Sequence, residues 1–158
     1  AIDRWGGSMP RPCQSGARPA IDSDWPAILE LDRRATGVDR SALLRAMSAE
    51  ACVRLRVIEQ AERLDGFGLA RAGRVAGHIG PVVANSLDTA TELTEALCDE
   101  QRVFIDVPAG VRGDGFDAWL KDHGFCVLRR LTRMAKPARA EPLLATASVF
   151  ATAALELG

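Results

Sequence analysis

The stretch Ala76-Gly-His-Ile-Gly-Pro-Val-Val-Ala-Asn-Ser-Leu-Asp-Thr-Ala-Thr-Glu-Leu93 decides how this chain is read. His78 to Ala84 has the apolar, β-branched character of a strand. It passes through Asn85, Ser86 and Leu87 into an amphipathic helix expected from near Asp88 to about Glu100, with Ala90, Leu93 and Leu97 on one face. A strand that ends where a helix begins presents backbone N–H groups beside the positive end of the helix dipole. Such a junction suits a phosphate or another anion.

Downstream, Arg102 to Val107 is a short apolar run ended by Pro108, which predicts a buried strand. A helix separates it from the strand ending at Ala84, so the two are expected to be parallel neighbours. Gly110 to Gly115 reads as a loop. Phe116, Trp119, Leu120 and His123 mark a helix closed by Gly124. Phe125 to Met134 predicts another strand, Lys136 to Glu141 a turn, and Ser148 to Leu157 a last apolar segment that fits strand or helix.

Upstream, Asp22 or Ser23 can cap a helix carrying Trp25, Ile28, Leu29 and Leu31, with Gly37 as its stop. A short helix with Leu43, Leu44 and Met47 follows. Alternation at Val53, Leu55 and Val57 predicts a strand. Arg63 to Gly66 reads as a turn, Phe67 and Leu69 as a second strand, and Ala72 to Arg74 as a tight return into Val75 to Ala84. The sum is an α/β chain whose sheet opens with antiparallel strands. Residues 1 to 20, rich in Gly, Pro, Arg and Ser, read as a linker or tail from an upstream domain, with residues 21 to 158 as the folded domain. Only Ile2 and Trp5 hint at something packed there, as the final strand of a preceding domain would be.

The 158 residues, 47% hydrophobic and 26% charged, suit one soluble domain with a real core. A net charge of −1 gives no footprint for nucleic acid, and no apolar run approaches the roughly 20 residues that span a bilayer. A secretory signal is not visible at the first residues. The cysteines at 13, 52, 98 and 126 have no C-x-x-C spacing, so no metal site is expected; three fall within predicted elements, where a free Cys behaves as a small buried hydrophobe, and they read as reduced thiols of a cytoplasmic protein. Tyrosine is absent.

The element order, with Arg102-Val-Phe-Ile-Asp-Val-Pro108 and Asp117-Ala-Trp-Leu-Lys-Asp-His-Gly-Phe125, resembles the GNAT acetyltransferases. Leu31-Asp32, Gly37-Val-Asp-Arg40, His78-Ile-Gly-Pro-Val-Val-Ala84, Ile105-Asp-Val-Pro108, Thr132-Arg-Met134 and Leu155-Glu-Leu-Gly158 look more narrowly like the C-terminal half of bacterial proteins built from two GNAT-like domains. The resemblance implies a GNAT-like mixed sheet flanked by helices, acetyl-CoA as cofactor, a small-molecule or peptide amine as acceptor, and an upstream GNAT-like domain or homodimer partner. It implies that pantetheine pairs with a splayed strand, and that a Q/R-x-x-G-x-G/A loop receives the pyrophosphate. On that basis Val82, Val83, Ala84, Asn85, Ser86, Leu87, Asp88, Thr89 and Ala90 are the candidate cofactor-binding residues.

The chain departs from that pattern where chemistry is residue-specific. Asp88 stands at the first glycine position, and two like charges about 4 Å apart cost roughly 4 kcal/mol even at an effective dielectric near 20. Gly113 and Leu120 occupy the positions often held by Asn and the proton-donating Tyr. His78 is the candidate catalytic base; a strand histidine bonded to its neighbours is the plainer alternative. His123 and Asp106 read as structural, Asp32 and Arg40 as a pair, and Arg54, Arg56, Arg129, Arg130 and Arg133 as a solvated ladder. Gly66-Phe-Gly68 precedes a strand and is no dinucleotide fingerprint. Two functions follow: a domain of an acetyl-CoA-dependent N-acetyltransferase with a degenerate cofactor loop, or a non-catalytic module for dimerisation or small-ligand sensing.

Overall fold

A computed structural model describes residues 1–10, 15–99, 101–108, 115–132 and 148–153. In chain order it contains β1 (Ile2–Gly7), β2 (Arg18–Pro19), α1 (Trp25–Thr36), α2 (Ser41–Ser48), β3 (Arg54–Gln60), β4 (Arg63–Arg71), β5 (Gly77–Ala84), α3 (Leu87–Leu97), β6 (Val103–Pro108), α4 (Gly115–Asp122), β7 (Cys126–Leu131) and β8 (Val149–Ala151). The strands form one mixed sheet in the order β2-β3-β4-β5-β6-β1-β7, with β8 paired to β5. The α/β reading holds, and β5 and β6 are parallel as expected.

Strand alternation divides the core in two. Val82 and Ala84 face α3 and α4, with Leu93, Leu97, Phe116 and Leu120. Val57, Phe67 and Val83 face α1 and α2, with Ile28, Leu31 and Leu44. α1 stops at Gly37 as expected, in the left-handed conformation (φ 74°), with its N–H donating to the Arg33 carbonyl. Arg40 and Asp32 form the anticipated pair through two hydrogen bonds of 3.0 and 2.5 Å, both side chains nearly sealed from solvent.

Three expectations need correction. The hairpin between β3 and β4 turns at Ala61 and Glu62, both at positive φ, and not at Arg63–Gly66. Gly66 lies within β4 because α3 crosses it: a Cβ there would meet Thr89 Cγ2 at 2.7 Å and Leu93 Cδ1 at 2.9 Å. The turn-like composition of that segment reflects helix packing.

Ile2–Gly7, expected as linker, is an interior strand hydrogen-bonded to β6 on one side and β7 on the other. Ile2 and Trp5, the two residues that hinted at packing, are 3% and 1% exposed and anchor it. Among the described cysteines, Cys98 is buried as expected, but Cys52 sits at positive φ in an exposed turn and Cys126 on exposed β7. The last apolar segment is a strand over Val149–Ala151.

The readings at Cys13, 110–114, Arg133, 136–141 and 154–158 lie outside the described residues. Among the described residues no helix is long and apolar enough to cross a membrane, and no cluster of metal-ligating side chains occurs.

Candidate functional site

The junction between β5 and α3 satisfies its own backbone. Ser86 is the N-cap: its Oγ accepts from the Thr89 N–H at 3.1 Å, and the helix starts at Leu87, next to the expected Asp88. Asp65, on β4, supplies a carboxylate to the same place. It accepts from Thr89 Oγ1, and from Asn85 Nδ2 at 3.0 Å, while its backbone carbonyl accepts from the Asn85 N–H at 2.9 Å. Asn85, Ser86, Leu87 and Asp88 are exposed; Thr89 and Ala90 are buried beneath the turn. Two carboxylates, Asp65 and Asp88, therefore flank the helix N-terminus, where complementarity to the dipole favours them.

Ahead of the junction, β5 and β6 separate. Their pairing runs over Gly77↔Val103, His78↔Phe104 and Ile79↔Ile105 and ends where Gly80 and Pro81 follow, Pro81 having no N–H to continue a ladder. β8 fills the resulting wedge. It pairs with β5 through Val82↔Ala151 and Val83↔Val149, the Ala84 N–H donates to Ser148 O at 2.9 Å, and the Thr152 N–H donates to Asp106 O on β6 at 2.8 Å. Gly80 (φ 153°) admits this backbone: a Cβ there would lie 2.0 Å from Thr152 O. Val149 packs into the α1 side, and Phe150 into the other face, edge-on to Phe116 with ring centroids 5.3 Å apart.

At the vertex of the wedge stands a polar cluster. Asp106, fully buried, accepts two hydrogen bonds of 2.8 Å from Arg4 Nε and Nη2 and faces His78 Nε2 at 2.9 Å. Burial pushes such a carboxyl up, but the hydrogen bonds from Arg4 and His78 outweigh it and hold the group at about 2. The other ring nitrogen of His78 lies 3.4 Å from Arg71 Nη2. A guanidinium only donates, so Nδ1 is the acceptor and Nε2 carries the proton donated to Asp106. Arg71 Nη2 also donates to Ala153 O at 2.8 Å, tying the end of the β8 segment to β4.

The family model for the acetyltransferase (GNAT) domain matches residues 28–150, most of the chain. The chain belongs to the GNAT family. Three solved structures agree on the fold. A protein assigned to this family from Novosphingobium aromaticivorans superposes with a TM-score of 0.58 at 13% identity, over 82% of this chain and 61% of that one. A GCN5-related N-acetyltransferase from Sphaerobacter thermophilus gives 0.54 at 18% identity, over 80% of this chain and 48% of that one. A protein assigned as an acetyltransferase from Pyrococcus horikoshii gives 0.50 at 27% identity, over 69% of this chain and 36% of that one. The chain thus spans about a third to three fifths of the length of these proteins. No curated protein matches it.

Within this GNAT fold, the sequence candidates fall into two groups. Val82, Val83 and Ala84 lie on β5 with main-chain groups engaged by the β8 segment, and Asn85 to Ala90 form the self-satisfied turn and first helical residues. His78 is on the same strand but belongs to the Asp106 cluster. Leu120, expected from the resemblance at the position of the usual tyrosine, is completely buried in α4; Gly113 lies outside the described residues. His123 is exposed, with Nδ1 2.8 Å from Trp119 O at the end of its helix.

Sequence reasoning missed Arg4, Asp65, Arg71 and the wedge-filling role of β8. Arg4 was hidden in a segment read as linker, and Asp65 in one read as turn. Only the unplaced apolar run from Ser148 carried a signal.

Proposed function

We propose that this GNAT domain is a non-catalytic module, whose cofactor cleft is closed by its own C-terminal strand, in an acetyl-CoA-dependent N-acetyltransferase that acetylates an amine in another domain or subunit. The observation that carries this reading is the Ser148–Thr152 segment hydrogen-bonded between β5 and β6. Pantetheine, pairing like an extra strand, needs the same donors and acceptors. Displacing β8 would expose Val149 and Phe150, a cost of about 3–6 kcal/mol for two buried apolar side chains. That alone weakens a competing ligand by at least about a hundredfold.

The rest of the site supports the same reading. The pyrophosphate end is flanked by Asp65 and Asp88, and both ring nitrogens of His78 are engaged within the fold. The amine acceptor and a partner, either an upstream GNAT-like domain or a second copy, belong to the proposal as expectations from the family. Titration of the chain with acetyl-CoA by calorimetry tests it. No saturable heat is expected up to about millimolar cofactor, with or without Asp88→Gly. Binding at micromolar strength by the unaltered chain overturns the closed-cleft reading.

A further inference from the structure

At the opposite end of β5 from the family's pyrophosphate position lies a pocket of about 370 Å³. Its walls are the start of β3, the end of β4, the β4–β5 turn, the start of β5 and the residues Asp99, Gln101 and Arg102, and they carry Arg54, Arg71, Arg74 and His78 as well. Asp99, the lone carboxylate among the described lining residues, is engaged by Arg54 at 3.0 Å, and Arg54 also donates to Leu97 O at the end of α3. Among the described residues, Arg71, Arg74 and Arg102 have no carboxylate partner. Arg102 instead lies over the Phe104 ring at 5.6 Å. Arg71 is held in place by Ala153 O and His78, yet its Nε is buried without a hydrogen-bond partner. Such a donor ordinarily costs enough for a fold to satisfy it.

We propose that this arginine-lined pocket binds a small, doubly charged oxyanion, the shared chemistry of a phosphate monoester and a short dicarboxylate. Three guanidiniums without carboxylate partners exceed the local negative charge, and each offers a planar fork of donors that matches carboxylate or phosphate oxygens. The volume is at the lower end of the range for small-molecule sites, about 300–1,000 Å³, which admits a ligand of a few carbons bearing the charged group. Arg71 is the pre-positioned donor, because its outer nitrogen is already fixed by the Asp106–His78 chain and the end of β8. Arg74 and Arg102, on the exposed rim, close on the anion from outside. The pocket shares His78 and Arg71 with the vertex of the β8 wedge, and its anion probes are titrated without acetyl-CoA, so the result is read separately from cofactor binding.

Calorimetry and thermal melts with inorganic phosphate and with malonate, each against sodium chloride of equal ionic strength, test the site. Saturable binding of at least one probe is expected, with a melt midpoint several degrees above the chloride control, and the tighter probe identifies the ligand's charged group. Arg74→Gln with Arg102→Gln, both exposed, should weaken binding by tenfold or more while the melt in chloride falls by no more than about 2 °C, the share of the exposed Arg102–Phe104 contact. Arg71→Gln should abolish it. No saturable binding of either probe overturns the proposal, as does binding by the double variant at wild-type strength.

Discussion

Asp106→Asn removes the carboxylate on which the vertex cluster converges, while keeping its shape. The native carboxyl titrates at about 2 against an ordinary value of 3.8. At 1.36 kcal/mol for each pH unit, this difference corresponds to about 2 kcal/mol of stability at neutral pH. A depressed carboxylate contributes fully above its unfolded value and loses that contribution as pH falls through its folded one. The window is therefore from about pH 4 down to about pH 2. Breaking a buried pair commonly costs about 3–5 kcal/mol, but Arg4, with its side chain 20% exposed, can recover some hydration, so about 2–3 kcal/mol is expected at pH 7. In a domain of this size that lowers the melting midpoint by about 4–10 °C. Urea unfolding of both proteins at pH 7 and pH 3 measures it. The difference between them should shrink by about 1 kcal/mol at the lower pH. A difference that is the same at both pH values, or no destabilisation at pH 7, refutes the assignment of Asp106 as the ionised centre of the cluster.

Gly66→Ala should destabilise the fold by about 1–3 kcal/mol in thermal melts, because its Cβ would enter Thr89 and Leu93 of α3. Ser86→Ala should cost about 1 kcal/mol through loss of the α3 N-cap, whereas Asp88→Ala should cost only a few tenths of a kcal/mol; urea midpoints separate the two. Burial pushes the Cys98 thiol up to about 12, so native alkylation read by mass spectrometry should label Cys52 and Cys126 and spare Cys98 until the chain is unfolded.

Local pattern was enough for the α/β class and for most elements, though not for β1, β2, the start of β4 or β8. The alternation at Val82 and Val83, the apolar face of α3 and the Gly37 stop follow from side-chain periodicity and backbone sterics, which act over a few residues. The Asp32–Arg40 pair was legible because the two residues are close in sequence. Gly66 misled for the same reason. A glycine selected to let a helix approach has the same composition as one selected for a turn, and only the crossing of α3 over β4 separates them.

The site was decided by contacts that no local pattern encodes. Arg4 and Asp106 meet across 102 positions, and Arg71 and Ala153 across 82. The sequence by itself determined that a strand–turn–helix junction would form at Ala84 to Ala90 and that its glycines were missing. Tertiary structure decided that Asp65 and Ser86 would satisfy it, that β1 would enter the sheet between β6 and β7, and that β8 would lie in the wedge. The physical reason is that a strand's hydrogen-bonding edges are the same whatever its sequence. Which chain segment takes an open edge is set by the competition among all segments that can reach it.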